Sequence, residues 1–154
     1  MSTTETTTAA ARLPEQLAEI REDFLALGER DRLQLLLEFA GELPALPARY
    51  ADAPEKLERV HECQSPVFAF AEVDGDGVVH FHATAPAEAP TTRGFASILA
   101  QGLTGLTAQQ VLDVPEDFPL MLGLTNAVSL LRLNGMAGML TRAKRQVREQ
   151  LAAA

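Results

Sequence analysis

The sequence predicts an α+β fold, a small antiparallel β-sheet flanked by N-terminal and C-terminal helices. Three observations carry this expectation. Apolar residues recur at helical spacing near both ends, two β-prone runs flank an Asp-Gly-Asp-Gly turn, and prolines and glycines punctuate the boundaries.

Leu13, Leu17, Ile20, Phe24 and Leu27 recur at steps of three and four, which places them on one face of a first helix. Pro14 suits its first turn and Gly28 its stop. Asp31 is positioned to cap a second helix over residues 32–40, ended by Gly41. Its run of Leu33, Leu35, Leu36, Leu37 and Phe39 is apolar nearly all round, so burial is expected. Leu43-Pro44-Ala45-Leu46-Pro47 cannot continue a helix, because each proline removes a donor and restrains the residue before it. Residues 49–62 form a polar approach to Cys63, with a helical turn after Pro54.

Residues 67–73 and 78–84 are β-prone runs joined by Asp74-Gly75-Asp76-Gly77, which predicts a hairpin that Pro66 introduces. Cys63 therefore falls in the loop just before a sheet edge. Residues 85–90 read as a linker, and Thr91 or Thr92 as the cap of a helix carrying Phe95, Ile98, Leu99 and Leu103. Thr107 starts a short helix through Val114, closed by Pro115, and Pro119 breaks the chain again. The last helix is expected from about Gly135, with Met136, Met139, Leu140, Ala143, Val147 and Leu151 on one face. Its other face holds Arg142, Lys144, Arg145 and Arg148.

The chain has 154 residues, 47% hydrophobic and 22% charged, which fits one domain over residues 12–154 behind a polar tail, residues 1–11, expected to be disordered. A chain this long buries roughly two thirds of its unfolded surface, so it needs neither a disulfide nor a metal to fold. The net charge of −8 argues against a nucleic-acid partner, which calls for a basic face. The tail lacks a basic n-region and an apolar h-region, and no apolar run reaches the roughly 18 residues that span a membrane. The expectation is a soluble, cytoplasmic protein with no membrane partner.

The single cysteine excludes an internal disulfide, a CxxC redox pair and a four-thiolate site within one chain. It leaves a mixed disulfide, a metal ligand alongside histidine, a nucleophile, or an inert core thiol. The polar loop His61-Glu62-Cys63-Gln64-Ser65-Pro66 is not a usual core position. Backbone N–H groups, a protonated His61 or a nearby arginine are the means by which such a loop stabilises a thiolate.

Glu62-Cys63-Gln64-Ser65, preceded by the proline-rich segment Leu43 to Tyr50, resembles the SufE family of cysteine-desulfuration proteins. The likeness continues through the hairpin, Arg93-Gly94, the block Leu106 to Leu112, and Arg132-Leu133-Asn134-Gly135. It implies a SufE/IscU-like fold and a sulfur-accepting partner of a SufS-type, pyridoxal-phosphate-dependent cysteine desulfurase. In that role Cys63 accepts sulfur as a persulfide, stimulates the desulfurase, and passes sulfur to an iron–sulfur scaffold. The chain is then an accessory protein with no cofactor of its own. Having no second thiol suits a carrier, because a resolving cysteine would discharge the persulfide. The resemblance further implies loop support from Gln64 and Ser65, and partner contact or loop anchoring from Arg93 and Arg132. The bland alternative for each arginine is a surface ion pair. Glu88 stands where relatives often place an acid, the alternative being solvated surface.

Two departures stand out. Glu62 occupies a position where many relatives have glycine, and a carboxylate there predicts a raised Cys63 pKa. Leu124-Thr125-Asn126-Ala127 lacks a histidine found in some relatives. Two rival readings remain open: a small zinc site from His61, Cys63, His80 and His82, and a non-catalytic interaction module. His80 and His82 share one strand face, opposite Val79 and Phe81, which the hairpin directs to the core.

Overall fold

The computed structural model describes residues 13–154, so the tail expected to be disordered lies outside the described residues. Its elements run in the order helix, helix, hairpin, helices, as the sequence predicts, with one further short strand ahead of the hairpin that it did not predict. Helices α1 (Glu15–Leu25) and α2 (Glu29–Gly41) are followed by a short helix α3 (Ala48–Ala51) and a 3₁₀ turn (Pro54–Lys56). Strands β1 (Glu58–Arg59), β2 (Phe68–Val73) and β3 (Val79–Thr84) form one antiparallel sheet in the order β1-β2-β3. Helix α4 (Pro90–Leu103), short helix α5 (Ala108–Leu112), a 3₁₀ segment (Phe118–Leu122) and the long helix α6 (Leu130–Ala153) complete the chain.

The hairpin forms as its turn chemistry dictates. Asp74 Oδ1 accepts from the N–H groups of Asp76 and Val78 at 2.8 and 3.0 Å, and Gly77 adopts φ +80°. Alternation then sorts the strands. Ala69, Ala71, Val79, Phe81 and Ala83 turn inward and are buried, while Phe70, Glu72, His80, His82 and Thr84 stay half-buried on the far face. Helices α4 and α6 cover the inner face, and α2 packs behind α4. Small alanines on β2 let α6 come close enough for its glutamines to bond the strand. Gln146 and Gln150 each accept from and donate to the β2 backbone: Ala71 N–H and Ala69 C=O for the first, Val73 N–H and Ala71 C=O for the second.

Several expectations shift. Gly28, rather than Asp31, is the N-cap of α2, which begins at Glu29. That helix is only half-buried: Leu36, Phe39 and Ala40 face the core, whereas Leu37 is exposed. Neither threonine caps α4, because Pro90 takes its first position with Ala89 as N-cap. Thr107 does cap α5, in a full capping box with Gln110. Helix α6 starts at Leu130, capped by the Ser129 hydroxyl, so residues 132–135 lie inside it and not ahead of it. Lys144 is also not on a solvent face. It is buried and its ammonium donates to the Val114 carbonyl just after α5. No helix among the described residues is long and apolar enough to cross a membrane.

Candidate functional site

The loop between β1 and β2 is closed at its root by two fully buried valines, with Val60 N–H donating to the Val67 carbonyl at 2.9 Å. Within it, Cys63 N–H donates to the Val60 carbonyl at 3.1 Å, which curls the chain and turns the thiol inward. Cys63 is 7% exposed, so the lone thiol is sheltered. Its Sγ sits against Gly135 of α6, where an added Cβ would come within 2.9 Å of the sulfur. One turn on, Gly138 gives the same room to Glu62, whose Oε2 would lie 2.5 Å from a Cβ. Each glycine costs the helix about 1 kcal/mol against alanine. In return the cysteine loop beds directly on the α6 backbone.

Arg142, one further turn along the same face, grips the loop. Its Nη1 lies 2.7 and 2.8 Å from the two carboxylate oxygens of Glu62 and also donates to the Gly138 carbonyl at 3.2 Å. Its buried Nε faces Glu58 Oε2 at 3.4 Å without a hydrogen bond, an ion-pair contact only. Arg145 does donate to Glu58, so α6 meets the loop and β1 through two arginines and two carboxylates. The Arg142 hydrogen bond holds the Glu62 carboxyl below its ordinary range. The Cys63 thiol moves the other way: burial pushes its pKa up, the Glu62 carboxylate adds to that, and Arg142 partly opposes it. The raised thiol expected from Glu62 is thus present, with burial as its larger cause.

A cleft of ≈ 160 Å³ lies beside the cysteine loop. Cys63, Gln64, Ser65, Glu88 and Arg132 all line it, with exposed Leu131 at its edge. Segments far apart in sequence thus meet at one thiol: the cysteine loop, the start of α4 and the start of α6. Arg132 is exposed and its guanidinium donates to the Thr91 hydroxyl at 3.3 Å. Arg93 does not line the cleft. It donates to the Ala40 carbonyl at 3.0 Å and the Ala85 carbonyl at 2.7 Å, tying α2 to the segment after β3. Its neighbour Gly94 lets α2 approach, since a Cβ there would meet the Leu36 carbonyl at 2.5 Å.

The chain matches the SufE family, described as "Fe-S metabolism associated domain", over residues 18–147. It belongs to the SufE family. It is 54% identical over 142 residues to an uncharacterised SufE-like protein of Mycobacterium tuberculosis, covering 92% of this chain and 98% of that one. It is 30% identical over 129 residues to SufE-like protein 1, chloroplastic/mitochondrial, of Arabidopsis thaliana, covering 83% of this chain and 33% of that longer protein. A solved hypothetical protein from Thermus thermophilus superposes with a TM-score of 0.80 at 40% identity, covering 91% of this chain and 98% of that one. The α+β architecture is therefore that of a SufE-like fold, and the family places the chain in iron–sulfur metabolism.

The histidines of the zinc reading are dispersed. His80 Nε2 lies 2.8 Å from Asp74 Oδ2, and the His82 ring packs at a tilt of 38° against Tyr50, with centroids 4.7 Å apart, facing Glu72 at 3.6 Å. His61 is exposed, and among the described residues no three His, Cys, Asp or Glu side chains cluster to hold a metal. Sequence reasoning missed Arg142 as a site residue. The signal was there: Gly135, Gly138 and Arg142 recur at steps of three and four, a narrow stripe on one helix face.

Proposed function

We propose that Cys63 accepts sulfane sulfur from a pyridoxal-phosphate-dependent cysteine desulfurase of the SufS type, stimulates that enzyme, and hands the sulfur to an iron–sulfur scaffold in the cytoplasm. The observation that carries this reading is a lone cysteine lining a cleft in a SufE-family chain, with Gln64, Ser65, Glu88 and Arg132 around it. In the transfer, the Cys63 thiolate attacks the outer sulfur of the donor's cysteine persulfide. A new S–S bond forms, the donor's S–S bond breaks, and the donor cysteine leaves as a thiolate that takes up the proton Cys63 released. No net oxidation occurs, and no second thiol is required. Each site residue then has a part: Gln64 and Ser65 shape the loop, while Glu88 and Arg132 meet the donor at the cleft rim. Arg93 anchors the scaffold behind them.

The chain is thereby an accessory to catalysis, with the cofactor chemistry residing in its partner. Incubated with desulfurase and cysteine, the protein should gain one sulfur by intact mass, roughly 32 Da, reversed by reductant. Cys63→Ser should show no gain and should fail to enhance sulfide release. An equal gain in Cys63→Ser would place the acceptor elsewhere and overturn the reading.

A further inference from the structure

We propose that Arg142 is a positioning residue that latches the Cys63 loop shut through Glu62, so that the thiol becomes reachable when this ion pair opens. Four observations converge on the latch. Glu62 directly precedes Cys63, so the loop cannot swing the sulfur outward without drawing the carboxylate off α6. Both Glu62 oxygens lie within 2.8 Å of one Arg142 nitrogen, a charge-assisted contact. The Arg142 side chain is only 14% exposed and is braced by the Gly138 carbonyl and Glu58, so it is held in place, whereas the Glu62 side chain is 40% exposed and open to a partner. Gly138 and Gly135 provide matching niches for the carboxylate and the sulfur, so both side chains seat together or not at all.

The shut loop explains how a protein whose only thiol is 7% exposed can still react. A rigid, closed site would block in-line attack on a donor's sulfur. A latch on a loop closed at Val60 and Val67 needs one ion pair broken and one thiol lifted off Gly135, while both valines stay buried. A docking partner that offers Glu62 a cation, or Arg142 an anion, lowers the cost of that step. The relevance to sulfur uptake rests on the function proposed above; the latch itself does not.

Alkylation of the full chain by iodoacetamide over a pH series separates access from acidity. The limiting rate at high pH reports access, and the midpoint reports the thiol pKa. The charged groups facing Cys63 are Glu62 and Arg142, with Glu88 and Arg132 on the cleft wall. Glu62→Gln and Arg142→Ala should both raise the limiting rate, by about fivefold for an ion pair of this kind. Their midpoints should move in opposite directions, down for Glu62→Gln and up for Arg142→Ala. Arg142→Lys should fall between wild type and Arg142→Ala. The charge swap Glu62→Arg with Arg142→Glu should restore slow labelling, which a general loss of stability would not do.

Limiting rates within twofold of wild type in both Glu62→Gln and Arg142→Ala would overturn the latch, as would a swap variant as fast as the singles. Failure of the wild type and of every variant to gain sulfur from the desulfurase, with labelling changed as stated, would overturn the sulfur-acceptor reading and leave the latch standing.

Discussion

Arg93 and Arg132 are both basic, yet their surroundings differ. Arg93 feeds two backbone carbonyls, one at the end of α2 and one after β3. Arg93→Ala removes both donors, which should cost about 1–3 kcal/mol and lower the melting temperature by several degrees. Arg132 is exposed and bonds only the Thr91 hydroxyl, so Arg132→Ala should move the melting temperature by about 1 °C or less. Its effect should instead fall on desulfurase stimulation, through lost pairing at the cleft rim. Unchanged stimulation with a normal binding constant would remove Arg132 from the site, and a stable Arg93→Ala would refute the anchoring role. The cysteine loop and its neighbours were legible because Cys63, Gln64 and Ser65 are contiguous and the family pattern marks the rest. The pairing of Glu62 with Arg142 was not, because it joins residues 80 positions apart and depends on two glycines that count against a helix when read locally.

At the scale of elements, α6 substitutes for a missing strand. Strand β1 covers only Ala69 and Phe68 of β2, which leaves the Ala71 and Val73 amides unpaired on that edge. Gln146 and Gln150 fill it, because four helical residues rise about 6 Å and two strand residues about 6.6 Å. The two amides therefore meet successive backbone groups along the open edge of β2. Gln146 is buried, so Gln146→Ala strands the Ala71 N–H and should cost about 1–3 kcal/mol by urea denaturation. Gln150 is half-buried and water can replace it, so Gln150→Ala should cost less. Equal or negligible losses would show that the glutamines merely decorate the edge. The sequence made the hairpin and the α1 and α4 faces readable, because turn chemistry and a 3.6-residue period act locally. It hid β1, two residues long and held by its neighbours, and it placed the start of α6 late, because Gly135 reads as a boundary until the docked thiol explains it.

Across the whole molecule, α6 has two tenants. Its first half beds the cysteine loop at Gly135, Gly138 and Arg142, and its second half holds the sheet through Gln146 and Gln150. Opening the loop should leave the second half untouched, because Val60 and Val67 stay buried at the hinge and the β2–α6 bonds do not involve the loop. Native-state hydrogen exchange tests this division directly. In Glu62→Gln, a peptide spanning residues 61–66 should exchange about fivefold faster, matching the loss of one partly buried ion pair. A peptide spanning residues 69–73 should keep its wild-type protection, since its amides open only with the sheet. Gln146→Ala should give the converse, weakening residues 69–73 more than the loop. A parallel rise in both peptides of Glu62→Gln would mean that the loop opens only when the fold does. In that case the shelter around Cys63 would be part of global stability, and a partner would have to loosen the whole domain to reach the thiol.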